Sequence, residues 1–312
     1  QLAPLGRALE RPILRGLLVA GEEQDEVALR LPAGLLQLEE RRPVEGRILG
    51  DLEIRYTEGP GHATELAREA SAADRLYVFS GDGGFNEVLN GVDGDVAIGL
   101  IPGGGASVLA RALGLPRDPV AAARRLANAK PRRISVGRVN GRRFGFSAGV
   151  GLDAELVRRV DAFGRTRERG RAGNLAFGWA GLRILAEHRF RLDPALEIVG
   201  HGRAAFALAA NADPYTYAGS LPLHVAPLAE FELGLDLVAP RRVTPRTLPR
   251  FLTYAVRGRG QERAGDVVYL HDVERVEIVC DRPLPLQADG EDLGDVTQVS
   301  LEAERAAVTV LV

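Results

Sequence analysis

Three short stretches hold the residue types that could do chemistry. "FSGDGGFNEVLNG" sets Asp82 among Gly81, Gly83 and Gly84, directly after an apolar run. "LIPGGGASVLARALG" repeats the plan with Gly103, Gly104 and Gly105. "LQADGEDLG" carries Asp289 and Glu291 on either side of a glycine. Glycine-rich backbone lets successive N–H groups turn toward an anion, and a helix start behind it adds partial positive charge. Asp82 would repel a bare phosphate. A divalent cation between them removes the conflict, because hard cations take carboxylate oxygens and bridge to phosphates. The pattern suggests a metal–nucleotide phosphate site. Another reading stands beside it: a tight strand-to-helix turn with a surface aspartate, and a plain hairpin turn at Asp289-Gly290.

The surrounding elements decide whether these stretches can meet. "LEIRY" alternates like a strand, "HATELAREA" has helical spacing, and "RLYVFS" and "VAIGLI" are short buried strands. Each glycine loop follows a strand and precedes a helix. "DPVAAARRLANA" reads as a helix capped by Asp118, with Pro119 at its first position. Strands alternating with helices predict a parallel, doubly wound, Rossmann-like sheet. Two loops one βα unit apart then lie at the same sheet edge, where ligands bind. Neither loop contains G-x-G-x-x-G, so the ordinary dinucleotide fingerprint is missing.

After Lys130 the rhythm changes. "RISVGRVNGRRFGFS" is a hairpin about Asn140-Gly141. "AELVRRVDAF" and "NLAFGWAGLRILAEHRF" read as helices, and strand-like pieces dominate from "ALEIVG" onward. The expected fold class is α/β plus β. An α/β nucleotide-binding domain covers residues 1–131, completed by 296–312, and a mainly antiparallel β-sandwich domain covers 132–295. Residues 1–50 show mixed periods, with "ILRGLLVAG" as a candidate first strand.

Composition excludes several classes. The 312 residues are 46% hydrophobic with a formal net charge of −2, which gives no case for nucleic-acid binding. The single cysteine, Cys280, excludes an internal disulfide and a cysteine-cluster zinc site. His62, His188, His201, His224 and His271 are scattered without ligand spacing. The one lysine, Lys130, lies outside the glycine loops, which excludes a Walker A loop and a protein kinase. No apolar run reaches spanning length and no secretory pattern opens the chain, so a cytoplasmic location is expected. With no methionine even at residue 1, the chain is expected to be incomplete or joined across missing residues. "GFSAG" also matches G-x-S-x-G, with Ser147 as a nucleophile and Asp236 and His271 as later partners. A hairpin before it is wrong for that motif.

"GDGGFNEVLNG" resembles the GGDGTxNEVxNG motif of the diacylglycerol kinase catalytic-domain family, shared with bacterial lipid kinases and sphingosine and ceramide kinases. "IPGGGASVLARALGLP" resembles the family's second loop, "FGFSAGVGLDAELVRRV" its segment ending in G-x-D-A-E, and "PLPLQADGEDLG" its D-G-E motif. The four motifs run in order from about Thr57 to the C-terminus. The resemblance implies transfer of the γ-phosphate of Mg-ATP to the hydroxyl of a lipid alcohol, most simply diacylglycerol. It implies that Thr57, Gly81, Asp82, Gly83, Gly84, Glu87, Gly103, Gly104, Gly105 and Ser107 bind ATP. It makes Asp82 a ligand of Mg²⁺, Asp289 the general base, and Glu291 its support or a metal ligand. Asn86 and Glu87 match family positions, and either could instead brace the helix. The implied partners are ATP, a lipid alcohol and a membrane touched peripherally at its inner face, for example by the six arginines of "RRVDAFGRTRERGR". A homodimer is left open.

The sequence departs from the family pattern at Ser80, for the first glycine, and at Gly84, for the threonine. Gly105 replaces the second-loop threonine, and Ser107 and Val108 replace its Asn-Asp. Fewer side-chain hydroxyls are expected at the nucleotide. "AEFELGLDLV" keeps Glu232, Gly234 and Asp236 of D-D-G-x-L-D, a weaker donor set for the structural metal the family can hold there. These losses define a second reading, a catalytically silent lipid- or nucleotide-binding relative.

Overall fold

The computed structural model describes residues 16–21, 52–70, 73–93, 95–165 and 183–312, with Leu49 and Gly181. Arg167, Arg169, Arg171, Trp179 and most of the expected helix around them lie outside the described residues, as does most of the chain before Leu52.

Strands β1 (Gly16–Gly21), β2 (Leu52–Thr57), β3 (Arg75–Ser80) and β4 (Ala97–Pro102) form a parallel ladder in the order β2-β1-β3-β4. "GLLVAG" is therefore the strand its apolar run suggested. Helices α1 (His62–Glu69), α2 (Asp82–Gly91), α3 (Val108–Ala112) and α4 (Pro119–Ala127) follow in the connections. Helical spacing puts Ala63, Leu66 and Ala67 of α1 on one buried stripe, and Phe85, Val88 and Leu89 of α2 on another. Both stripes pack into one core with the wholly buried strand β4. Asp118 caps α4 as expected, its Oδ1 accepting the Ala121 N–H at 2.7 Å, with Pro119 leading the helix.

Strands β5 (Pro131–Val139) and β6 (Arg142–Phe144) form the expected hairpin. Asn140 and Gly141 both take positive φ, 47° and 88°, the left-handed pair that a two-residue turn of this kind needs. Then come β7 (Ser147–Val150), α5 (Leu152–Arg165), β8 (Leu196–Ile198), β9 (Gly202–Ala204) and β10 (Ala207–Ala210). The chain continues through β11 (Thr216–Ala218), β12 (Leu221–Leu223), β13 (Leu235–Pro240), α6 (Leu248–Arg257) and β14 (Val267–Val273). The long β15 (Arg275–Ala288) and β16 (Glu291–Leu311) close it. Pairing through β14-β13-β10-β7-β15-β16 is antiparallel throughout.

Strand β16 joins the two halves. It pairs antiparallel with β15 and β5, and its end runs parallel to β4, with Thr309 beside Ala97 and Val310 beside Ile98. Val308, Val310 and Leu311 thus complete the core of the α/β half. Leu284, Leu286, Val299 and Leu301 belong to the second core, among β7, β10, β13 and β15. The fold class is the expected one, α/β followed by a mainly antiparallel β half.

Candidate active site

The two glycine loops meet at the carboxyl ends of β3 and β4. The Gly103 N–H donates to the Ser80 carbonyl at 2.8 Å, extending the strand pairing into the loops. Gly81 precedes α2 in extended conformation, and Asp82 is the first residue of that helix. Asp82 Oδ1 accepts the Leu109 N–H of α3 at 3.3 Å, a contact between the first loop and the helix after the second. Ser107 holds a positive φ of 44°, and its hydroxyl donates to the Gly104 carbonyl at 3.1 Å. Thr57 ends β2 beside Gly21 of β1. Thr57, Gly81–Gly84 and Gly103–Gly105 therefore share one edge of the parallel sheet.

The two departures in the first loop turn out to be a single exchange. A Cβ built on Gly84 would fall 2.0 Å from Ser80 Oγ and 2.7 Å from Ser80 Cβ. A threonine at 84 would press on the serine at 80, and one of the two would have to shift. The Ser80 side chain at the end of β3 thus stands in the space that a side chain at 84 would enter.

Asp289 and Gly290 form the two-residue turn between β15 and β16, at φ 48° and 81°. The turn reading and the inward-facing carboxylate are compatible. Asp289 is 3% exposed. Its Oδ2 accepts from Asn86 Nδ2 (2.8 Å) and the Gly145 N–H (2.6 Å), and its Oδ1 from the Phe146 and Ser147 N–H groups (3.0 and 3.2 Å). Burial pushes its carboxyl above the ordinary range, and the Gly145 and Asn86 donors pull against that. Two residues on, Glu291 reaches the first loop. Its Oε1 lies 3.2 Å from the point a Gly83 Cβ would occupy. Burial raises the Glu291 carboxyl too, opposed by the Arg142 guanidinium and assisted by Glu87 and Asp289. Arg142 pairs with Glu291 and donates to Asn86 Oδ1 at 2.7 Å. Loops from the first half and a carboxylate pair some two hundred positions away thus stand together.

The remaining expected residues separate by role. Glu87 gives both oxygens to the start of α1, accepting from the Gly61 and Ala63 N–H groups at 2.9 and 3.2 Å. Of its two readings, bracing is what the geometry displays. Asn86 and Asn90 both donate to the Arg143 carbonyl at 3.0 Å, so they clamp α2 to β6. Arg142 was missed from sequence; its signal was the "NGRR" turn, which places the first arginine at the start of β6. Ser147 is the buried first residue of β7, and its hydroxyl interacts with Tyr215. It lies in mid-sheet rather than on a strand-to-helix elbow, so the hydrolase alternative lacks its geometry. Asp236 accepts from the Tyr269 hydroxyl (2.7 Å) and the Asp272 N–H (3.0 Å), with His271 Nδ1 at 2.8 Å. Glu232 pairs with Arg132.

Comparison with known proteins follows the same division. A model of the diacylglycerol kinase catalytic domain matches residues 37–139. A model of the YegS C-terminal NAD kinase beta sandwich-like domain matches residues 146–312, more than half of the chain. The chain belongs to the YegS and diacylglycerol kinase family of lipid kinases. The family member named diacylglycerol kinase in Bacillus subtilis (strain 168) is 37% identical over 135 residues, 41% of this chain and 43% of that protein. A "Probable lipid kinase YegS-like" protein of Chromohalobacter salexigens is 29% identical over 281 residues, 86% of this chain and 88% of that one. A solved diacylglycerol kinase from Bacillus anthracis str. Sterne shares the fold, with a TM-score of 0.65 at 19% identity over 95% of this chain and 96% of its own.

Proposed function

We propose that this family member transfers the γ-phosphoryl group of ATP to the hydroxyl of a lipid alcohol, with diacylglycerol as the acceptor that its relatives' names suggest. One observation carries the reading: Glu291 and Asp289 of the β half stand against Gly83 and Asn86 of the first glycine loop and its helix. Thr57, Ser80, Gly81–Gly84, Gly103–Gly105 and Ser107 bind the nucleotide phosphates, mostly through backbone N–H groups. Phosphoryl transfer asks the protein for positioning and charge neutralisation more than covalent chemistry.

Mg²⁺ fits the residues present. No cluster of three His, Cys, Asp or Glu stands ready to hold a metal among the described residues. Magnesium does not need one, since it takes one or two carboxylates and completes its shell with phosphates and water. Asp82 and Glu291 are the carboxylates at the loop that would hold it. Bound there, the ion would neutralise charge on the phosphates. Asp289 takes the acceptor's proton. Asn86 is the single side-chain donor among its four partners; the other three are backbone N–H groups.

We take residues 1–131 with 296–312 as the nucleotide unit and 132–295 as the acceptor unit, a division supported by the return of β16 to β4. The cytoplasm, where ATP is plentiful, is the compartment this function needs. No helix among the described residues is long and apolar enough to cross a membrane. The test is a labelled-ATP assay with Mg²⁺ across diacylglycerols, sphingoid bases and other lipid alcohols. Label should appear in a lipid phosphate. ATP binding with no labelled lipid from any acceptor would make the chain the silent relative instead.

A further inference from the structure

Helix α6 carries one broad apolar face, only part of which is covered. Leu248 and Phe251 face the protein and pack with Ala205, Phe206 and Val243. The Ala255 carbonyl accepts the His224 N–H at 2.7 Å, just beyond β12. On the same face, about one and two turns on from Leu248, Leu252 and Val256 remain 58% and 51% exposed, and Leu221 of β12, which packs on this helix, is 45% exposed. The part around Phe251 packs on the fold, whereas Leu252 and Val256 are left uncovered by the described residues.

Along the sequence, the charge around this exposed part has one sign. Between Asp236 and Glu262 the sequence holds six arginines and neither Asp nor Glu, in a chain whose net charge is −2. Arg242 pairs with Asp193 and Arg250 with Asp266. Arg246, Arg257 and Arg259 are exposed, with no carboxylate partner among the described residues. The patch is also linked to the glycine loops. Arg111 of α3 donates to the Gly219 carbonyl at the tip of the β11–β12 hairpin (3.2 Å), and its guanidinium stacks 3.3 Å from the Tyr217 ring centroid.

We propose that α6 and the β11–β12 tip form the docking face for an anionic phospholipid bilayer. Leu221, Leu252 and Val256 enter the boundary between headgroups and acyl chains, and Arg246, Arg257 and Arg259 meet lipid phosphates. A second copy of this chain fits the face poorly, because a two-fold contact sets the same arginines against themselves. The arginine-rich segment that the sequence suggested opens with side chains already engaged: Arg158 pairs with Asp292 and Asp295, and Arg159 with Glu155 and Glu187. The face takes its purpose from the lipid-acceptor reading, but bilayer binding is measured separately from turnover.

The experiment is co-sedimentation with vesicles of phosphatidylcholine alone and of phosphatidylcholine mixed with phosphatidylglycerol, at low and high salt. The wild type should bind the anionic vesicles, and salt should weaken that binding. Leu252→Ser/Val256→Ser and Arg257→Glu/Arg259→Glu should each bind about tenfold more weakly or worse. Both should keep the wild-type melting temperature and the wild-type rate on a water-dispersed short-chain acceptor. No binding by the wild type, undiminished binding by either variant, or a change in oligomeric state with vesicle binding intact would each overturn the docking face. Vesicle binding without turnover of any acceptor would instead sink the kinase reading and leave the docking face standing.

Discussion

Ser80 and Gly84 occupy one space between them. Gly84→Thr alone drives a side chain into Ser80, and overpacking of this kind costs about 1–3 kcal/mol. Ser80→Gly alone removes a hydroxyl from the junction of the two glycine loops. Each single variant should raise the KM for ATP, and Gly84→Thr should also lower the melting temperature. The double variant Ser80→Gly/Gly84→Thr should recover most of both losses. Additive losses in the double variant, read from ATP saturation curves and thermal melts, would show that the two positions do not exchange a hydroxyl. Neither half of this exchange was legible as such in the sequence. A missing glycine and a missing threonine read as two defects, because only the backbone geometry of β3 and α2 brings the two Cβ positions together.

At the scale of elements, the Asp289-Gly290 turn rests on a buried polar layer. Asp153 of α5 accepts from the Tyr215 hydroxyl (2.7 Å) and Gln287 Nε2 (2.6 Å), and Gln287 Oε1 accepts the Gly290 N–H (2.9 Å). Burial raises the Asp153 carboxyl above its ordinary value, and the Tyr215 and Gln287 donors only partly offset it. The sign follows from linkage. An acid whose folded pKa lies above its unfolded one favours the folded state at low pH, and that contribution is lost as pH rises through the folded value. Asp153→Asn should therefore lose less stability than the wild type as pH climbs from the ordinary carboxylate range toward neutrality and beyond. Denaturant unfolding at several pH values measures this, and an unchanged slope would contradict it. The same scale explains the N-E-x-x-N run. Asn86 and Asn90 fasten α2 to β6, and Glu87 caps α1, so much of that motif holds elements in place. The sequence left Asn86 and Glu87 between two roles because their partners lie on other elements: Glu87 bonds the start of α1, some 25 positions upstream, and Asn86 bonds Arg143 and Asp289 far downstream.

For the whole molecule, the alternation of strands and helices before Lys130 and the Asn140-Gly141 hairpin made the fold class legible, since both are local patterns. The path of β16 was less so: residues 296–312 were expected to complete the first half, but the sequence does not reveal a single strand that serves both halves. The candidate site was legible as motifs and not as a constellation. Arg142 escaped notice because a basic residue after a turn is ordinary until Glu291 and Asn86 are seen around it. The proposed function requires above all that a carboxylate from the β half act at the glycine loop of the α/β half. The most direct measurement is kcat for lipid phosphorylation by Glu291→Gln at saturating Mg-ATP, with the melting temperature as a control. The expected result is a fall of about a hundredfold or more with the fold intact, the scale of losing a positioned catalytic carboxylate. A rate within about twofold of wild type would contradict it.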